Sequence, residues 1–144
     1  MKIVGSAQRG SAKRGPRTGS AAIEFAILGP LLIVLLMGMV VYGGWFWLAQ
    51  GVQSLATESA RAALGGLDAA ERTRLATAFV AAEAGPGAGL DPQKLTVAVE
   101  SDVDVIRVKV VLDASQHPVL AFAALLPQPP SRIERTAVVR IGGF

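Results

Sequence analysis

From Phe25 to Thr57 this 144-residue chain carries no charged side chain, and within that stretch Ala26–Ala49, AILGPLLIVLLMGMVVYGGWFWLA, is almost wholly apolar. As a helix those 24 residues measure about 36 Å, enough to cross a hydrocarbon core of about 30 Å with some tilt. A soluble fold would have to wrap such a helix in protein, and a chain of this length leaves too little to do so. The stretch reads as a membrane span, with the lipid bilayer as an obligatory partner.

Charge gives the span a direction. Residues 1–19 hold Lys2, Arg9, Lys13, Arg14 and Arg17 and no acid, whereas residues 20–144 hold nine Lys/Arg against eleven Asp/Glu, a net −2. The pI near 9.8 therefore reports the leader and not the folded part. By the positive-inside rule the leader is cytoplasmic, and residues beyond about 50 lie outside. Tyr42, Trp45, Phe46 and Trp47 cluster at the outer end, where amphipathic rings favour the interface. A basic face on a folded element, as nucleic-acid binding requires, is missing. The chain has no cysteine, which excludes disulfide scaffolds, Cys-ligated zinc and a thiol lipid anchor.

An ordinary cleaved secretory signal does not fit. The apolar core is too long, and the nearest Ala-type site, FWLA before Gln50, places bulky Trp47 two residues before Ala49. Lys13-Arg14 is followed by GPRTGS, which is not a twin-arginine signal. The segment stays attached as an anchor. Pro30 cannot donate to the carbonyl of Ala26 and predicts a kink near the helix start. Gly38, Gly43 and Gly44 thin the side-chain layer and permit close contacts.

Past the anchor, Val52, Leu55, Ala56, Ser59, Ala62 and Ala63 keep helical spacing, with Gln50, Ser54, Glu58 and Arg61 on another face. This predicts an amphipathic stem over 50–66, ended by Gly65-Gly66. Asp68-x-x-Glu71 reads as a helix cap opening a second helix. Leu75, Phe79 and Ala82 share one side of it, and Gly85-Pro86 stops it. The period then changes to two. LTVAVE (95–100) and VIRVKVVL (105–112), joined through SDVD, read as an antiparallel hairpin, and RIERTAVVRI (132–141) as a third strand. Leu95, Val97 and Val99 face inward with Ile106, Val108, Val110 and Leu112, while Arg107 and Lys109 face water. On the third strand Ile133, Ala137, Val139 and Ile141 share a face. PVLAFAALL (118–126), opened by Pro118 and stopped at Pro127, reads as a short cover for a sheet edge. The other reading is an apolar docking surface for another subunit or the membrane face.

The fold class is thus α+β: a long N-terminal transmembrane and stem helix, a second helix, and a small antiparallel sheet of about three strands. The segments are a leader (1–19), a transmembrane helix (20–49), a stem (50–66) and a small extracytoplasmic domain (67–144). Catalysis has few candidates. His117 is the only histidine and sits beside Pro118; Asp102 and Asp104 in SDVD read as a solvated turn. No nucleophile elbow, phosphate-binding glycine run or ligand spacing for a metal is present, so neither a catalytic site nor a cofactor is expected.

The basic leader, the Gly19-Ser20 junction, Glu24 at the fifth position after Gly19, Phe25 at the sixth, and the apolar helix behind them together resemble a class III signal peptide, the substrate of prepilin peptidases. SAAIEFAILGPLL resembles more closely the start of TadE-like proteins, the minor pilins or pseudopilins of the tight-adherence (Flp/Tad) system. QSLATESARAAL is similar to the Ala/Arg-rich helix that follows their anchor. The resemblance covers residues 19–66. It implies cleavage on the cytoplasmic side between Gly19 and Ser20, with Glu24 and Phe25 serving pilin-type assembly. It further implies prepilin peptidase, other Tad pilins and an inner-membrane assembly platform as partners. Ser20 departs from the aromatic or hydrophobic first residue common in mature pilins, which bears on N-methylation there. The implied protein is a structural subunit of the bacterial inner membrane that supports pilus assembly and surface adherence. An uncleaved single-pass assembly factor and a membrane-anchored enzyme are the rival classes.

Overall fold

The computed structural model describes residues 18–85, 87 and 89–142, so the leader as far as Arg17 and the expected helix-stopping Pro86 lie outside the described residues. In chain order the elements are α1 (Thr18–Ala63), α2 (Ala69–Glu83), β1 (Leu95–Ser101), β2 (Val105–Asp113), α3 (Pro118–Ala121) and β3 (Arg132–Arg140). Short 3₁₀ turns occupy Pro92–Lys94 and Phe122–Leu125. The fold is α+β, with a long apolar N-terminal helix, further helices and a three-stranded antiparallel sheet.

Contacts divide the chain into two units, between Ile33 and Val34. The described part of the first is the start of α1. It is helical on both sides of Pro30, and its apolar side chains Ile23, Phe25, Ile27, Leu28, Leu31, Leu32 and Ile33 are exposed. At 100° per residue those positions go round the helix and do not form one stripe.

In the second unit a core forms where α1, α2 and the sheet meet. Leu48, Val52, Leu55, Ala56, Ser59, Ala60 and Ala63 of α1 are buried at helical spacing, and Gln50, Ser54, Glu58 and Arg61 are exposed, as the amphipathic stem requires. Fully buried Ala60 takes a place on the inner face, while Ala62, expected there, is only half-buried. Ser59 is tolerated because its hydroxyl donates to the Ala56 carbonyl at 3.1 Å. Glu58 and Arg61 pair at 3.1 Å on the surface, a contact contributing about 0.2–0.5 kcal/mol.

The cap of α2 forms as the sequence predicts. The Asp68 carboxylate accepts from the Glu71 backbone N–H at 2.7 Å, and Glu71 reaches back to accept from the Leu67 N–H at 3.0 Å. The buried face of α2 is one position off expectation: Ala76 and Val80 are buried, Leu75 and Phe79 flank them, and Ala82 is exposed. Both 75/79/82 and 76/80 are apolar at helical spacing, so periodicity alone cannot choose between them.

The sheet has the order β1-β2-β3, with Val97 opposite Val110 and Val108 opposite Ala137. Ile106, Val108, Val110 and Leu112 of the central strand are fully or almost fully buried, and Leu95, Val97, Val99, Ala137, Val139 and Ile141 pack against them. One inner position of β3 is unexpected. Arg135 stands opposite Val110 on the core side, half-buried, and its guanidinium turns out to the Glu134 carbonyl at 2.8 Å. An inward charge on an edge strand discourages pairing with another chain's strand. On the outer face Lys109 holds Glu134 at 2.9 Å and draws its carboxyl below the usual range.

Because the core is small, its central strand is sensitive. Ile106→Ala is expected to lower the unfolding free energy by about 2–5 kcal/mol. Urea titration of detergent-solubilised protein, followed by near-ultraviolet circular dichroism, reads the shift. An unchanged midpoint would mean that the sheet does not share one cooperative core with α1.

Candidate functional site: the anchor helix

The head of α1 carries the residues singled out in the sequence. The described part of α1 opens at Thr18 and contains the Gly19–Ser20 bond. Gly19 is exposed; a Cβ built on it would meet nothing within 4 Å, and its φ is not in the left-handed region. Among the described residues neither packing nor backbone conformation demands a glycine there. Glu24 is helical and exposed. Phe25 is 75 % exposed and directed away from any core.

Further along, Val34, Leu35, Leu36, Met39 and Val40 are also exposed. The helix is long and apolar enough to cross a membrane, and only 6 % of its most apolar window is buried. A core helix would show the reverse. Val41 is 0 % exposed, and two turns on Leu48 and Ala49 are buried, while Tyr42, Phe46 and Trp47 between them stay exposed.

The covering protein comes from two connections. The Tyr42 hydroxyl donates to the Pro127 carbonyl at 2.7 Å, and the Trp45 indole N–H donates to the Pro130 carbonyl at 2.9 Å. A Cβ on Gly44 would fall 2.7 Å from Val119, so this glycine lets α3 approach the α1 backbone closely. The 118–130 segment thus packs on α1 rather than merely edging the sheet. The second connection follows α2. Gly89 has φ +66°, and a Cβ there would fall 2.5 Å from the Trp47 ring, while Leu90 lies against Gly51. Each of these contacts joins residues far apart in sequence, and periodicity could not reveal them. A glycine facing a bulky residue was the only signal.

Against this geometry the comparisons with known proteins fall into place. The family model described as TadE-like protein matches residues 19–61. Residues 19–61 are TadE-like. The match begins at Gly19, takes in Glu24, Phe25 and Pro30, and ends in the stem of α1. No curated protein and no solved structure matches the chain. TadE-like proteins are a structural family associated with the Tad pilus.

Outside the TadE-like segment, the residues weighed for catalysis have structural surroundings. His117 caps α3, its Nδ1 accepting from the Val119 N–H at 3.3 Å. Asp102 and Asp104 are exposed in the β1–β2 turn, where Asp102 accepts from the Val103 N–H at 2.9 Å. An open groove between α1 and α2, lined by Ser54, Leu55, Glu58, Phe79 and Glu83, sets one serine beside two carboxylates, with no histidine among its lining residues. Among the described residues no group of three or more His, Asp or Glu is placed to hold a metal ion. At the end of β2 the Ser115 backbone N–H, helped by its side chain, holds the Asp113 carboxyl below its ordinary range.

Proposed function

We propose that the chain is a minor pilin-like, TadE-like structural subunit of a Tad/Flp type IV pilus or secretion apparatus. Its basic leader stays in the cytoplasm, prepilin peptidase cuts between Gly19 and Ser20, and α1 holds the product in the bacterial inner membrane. Pro30 bends the first turns of the span, and the α+β domain lies outside. Within the apparatus the subunit enters, initiates or caps a filament that supports surface adherence.

One observation carries this reading: Gly19, Glu24, Phe25 and Pro30 stand in register at the head of a helix exposed all round, inside the TadE-like match. Residues 21–40 alone contain 20 helical positions, about 30 Å of helix, which equals the hydrocarbon thickness. On this reading they fill the hydrocarbon within the expected 20–49 segment.

The uncleaved assembly factor draws on a different observation, the helical conformation of Gly19 and Ser20, which puts the bond between them inside α1. Amino-terminal sequencing of the mature protein, from cells with and without prepilin peptidase, separates the two. A start at Ser20 only in competent cells supports the pilin reading; a start at Met1 in both supports the assembly factor. Topology is tested independently. A periplasm-active reporter fused after residue 90 is expected to be active, and one fused within the leader inactive. The opposite pattern would remove the pilin reading altogether, since a cytoplasmic domain cannot join an external filament.

A further inference from the structure

We propose that the surface surrounding the outer end of the membrane span, built from Gly85, Gly87 and Gly89 and from residues 118–130, rests on the bilayer, with Phe122 inserted among headgroups and upper acyl chains. This rests on the membrane-anchor reading above. Three observations converge on it.

The first is charge. Ala84–Leu90 and Ala114–Ser131 contain no Asp, Glu, Lys or Arg, although both are loop-rich connections flanked at once by Glu83, Asp91, Asp113 and Arg132. Loops facing water seldom avoid charge over such lengths, and a charge near hydrocarbon is costly. The second is position. Both connections are fixed to α1 within residues 42–51, through Tyr42–Pro127, Gly44–Val119, Trp45–Pro130, Trp47–Gly89 and Gly51–Leu90. With the hydrocarbon filled by residues 21–40, that level of the helix is the headgroup region. Chain held against it must share that region.

The third is exposure. Phe122 is 58 % exposed although its neighbour Ala123 is completely buried, so α3 and the following turn bury a small residue and present a large ring outward. Tyr42, Phe46 and Trp47 are also exposed at this level. Aromatic rings with apolar bodies are stable at the membrane interface, and the polar tips of Tyr42 and Trp45 are already satisfied by loop carbonyls. A second copy of the chain could cover Phe122. It would not explain why two connections, distant in sequence, are both free of charge where the anchor emerges.

The absence of cysteine allows single spin labels. Nitroxides are placed by Leu36→Cys in the span, Phe122→Cys and Ala124→Cys on the proposed surface, and Val138→Cys on the outer face of the sheet. All four positions are exposed. The full chain is reconstituted in phosphatidylcholine–phosphatidylglycerol vesicles, and accessibility to oxygen and to a water-soluble nickel chelate is compared. Oxygen preference is expected to be highest at 36, intermediate at 122 and 124, and several-fold lower at 138. If 122 and 124 match the aqueous value of 138 while 36 stays in lipid, the anchor stands and the resting surface does not. Shielding of 122 and 124 from both reagents would mean a protein partner and overturns the proposal equally. An aqueous 36 would overturn the anchor reading and, with it, this one.

Discussion

Gly19→Arg is expected to leave full-length chain as the only species in cells that contain active prepilin peptidase, read as the mass of the protein extracted from membranes. The strength of this test comes from what the substitution does not disturb. Gly19 is exposed, a side chain there meets nothing within 4 Å, and its backbone needs no left-handed conformation. Arginine is also a better helix former than glycine by about 0.8–1 kcal/mol, so the first turn of α1 gains rather than loses. Lost processing would therefore report a demand made by the peptidase cleft and not damage to this protein. Gly19→Ala is the control, because it brings a similar helix gain with a single methyl group; it should remain processed to a measurable extent. In the proposed orientation the added positive charge is cytoplasmic and would reinforce that orientation, which the fusion after residue 90 checks. A Gly19→Arg chain that still begins at Ser20 would sink the class III reading of the leader.

Most of the architecture was legible because it rests on period and punctuation. The strands read at 95–100, 105–112 and 132–141 lie within a residue of β1, β2 and β3, since the inward residues alternate and turn-forming residues separate the runs. The Asp68 cap was legible for a similar reason: its chemistry is local. What escaped was side-chain chemistry set by tertiary neighbours. Arg135 stands at an inward position of β3 because the alternation runs through it, and a long side chain can carry its charge back out. The burial of Val41, Leu48 and Ala49 was invisible because a lipid-facing and a protein-facing apolar residue look alike in sequence. At the head of α1 the limit is different. The register of Gly19, Glu24, Phe25 and Pro30 is plain in the sequence, but the use proposed for it would depend on a peptidase and a neighbouring subunit, which one chain does not contain.

Glu24→Gln is expected to leave cleavage at Gly19 and membrane insertion intact while sharply reducing crosslinking to pilus components and surface attachment. An ionised carboxylate near hydrocarbon is unfavourable, by about 2.5–3.5 kcal/mol at mid-helix and less near an end, so removing its charge cannot hinder insertion. Glutamine keeps the shape and stays clear of the scissile bond. The chemistry that changes is pairing. Cleavage would create an ammonium at Ser20, and Glu24 stands four residues on, about 6 Å along the same helix. Its carboxylate can meet that ammonium in its own chain or the corresponding one on a neighbour, where it would fix the axial register between adjacent subunits. The helix-dipole alternative predicts far less. An acid near a helix N-terminus gains about 0.3–1 kcal/mol within its own chain, so its loss should barely register in assembly. Crosslinking between subunits, measured in the same cells as processing, separates the two. A processed, inserted Glu24→Gln protein that crosslinks and adheres at wild-type levels would show that the charge has no part in assembly.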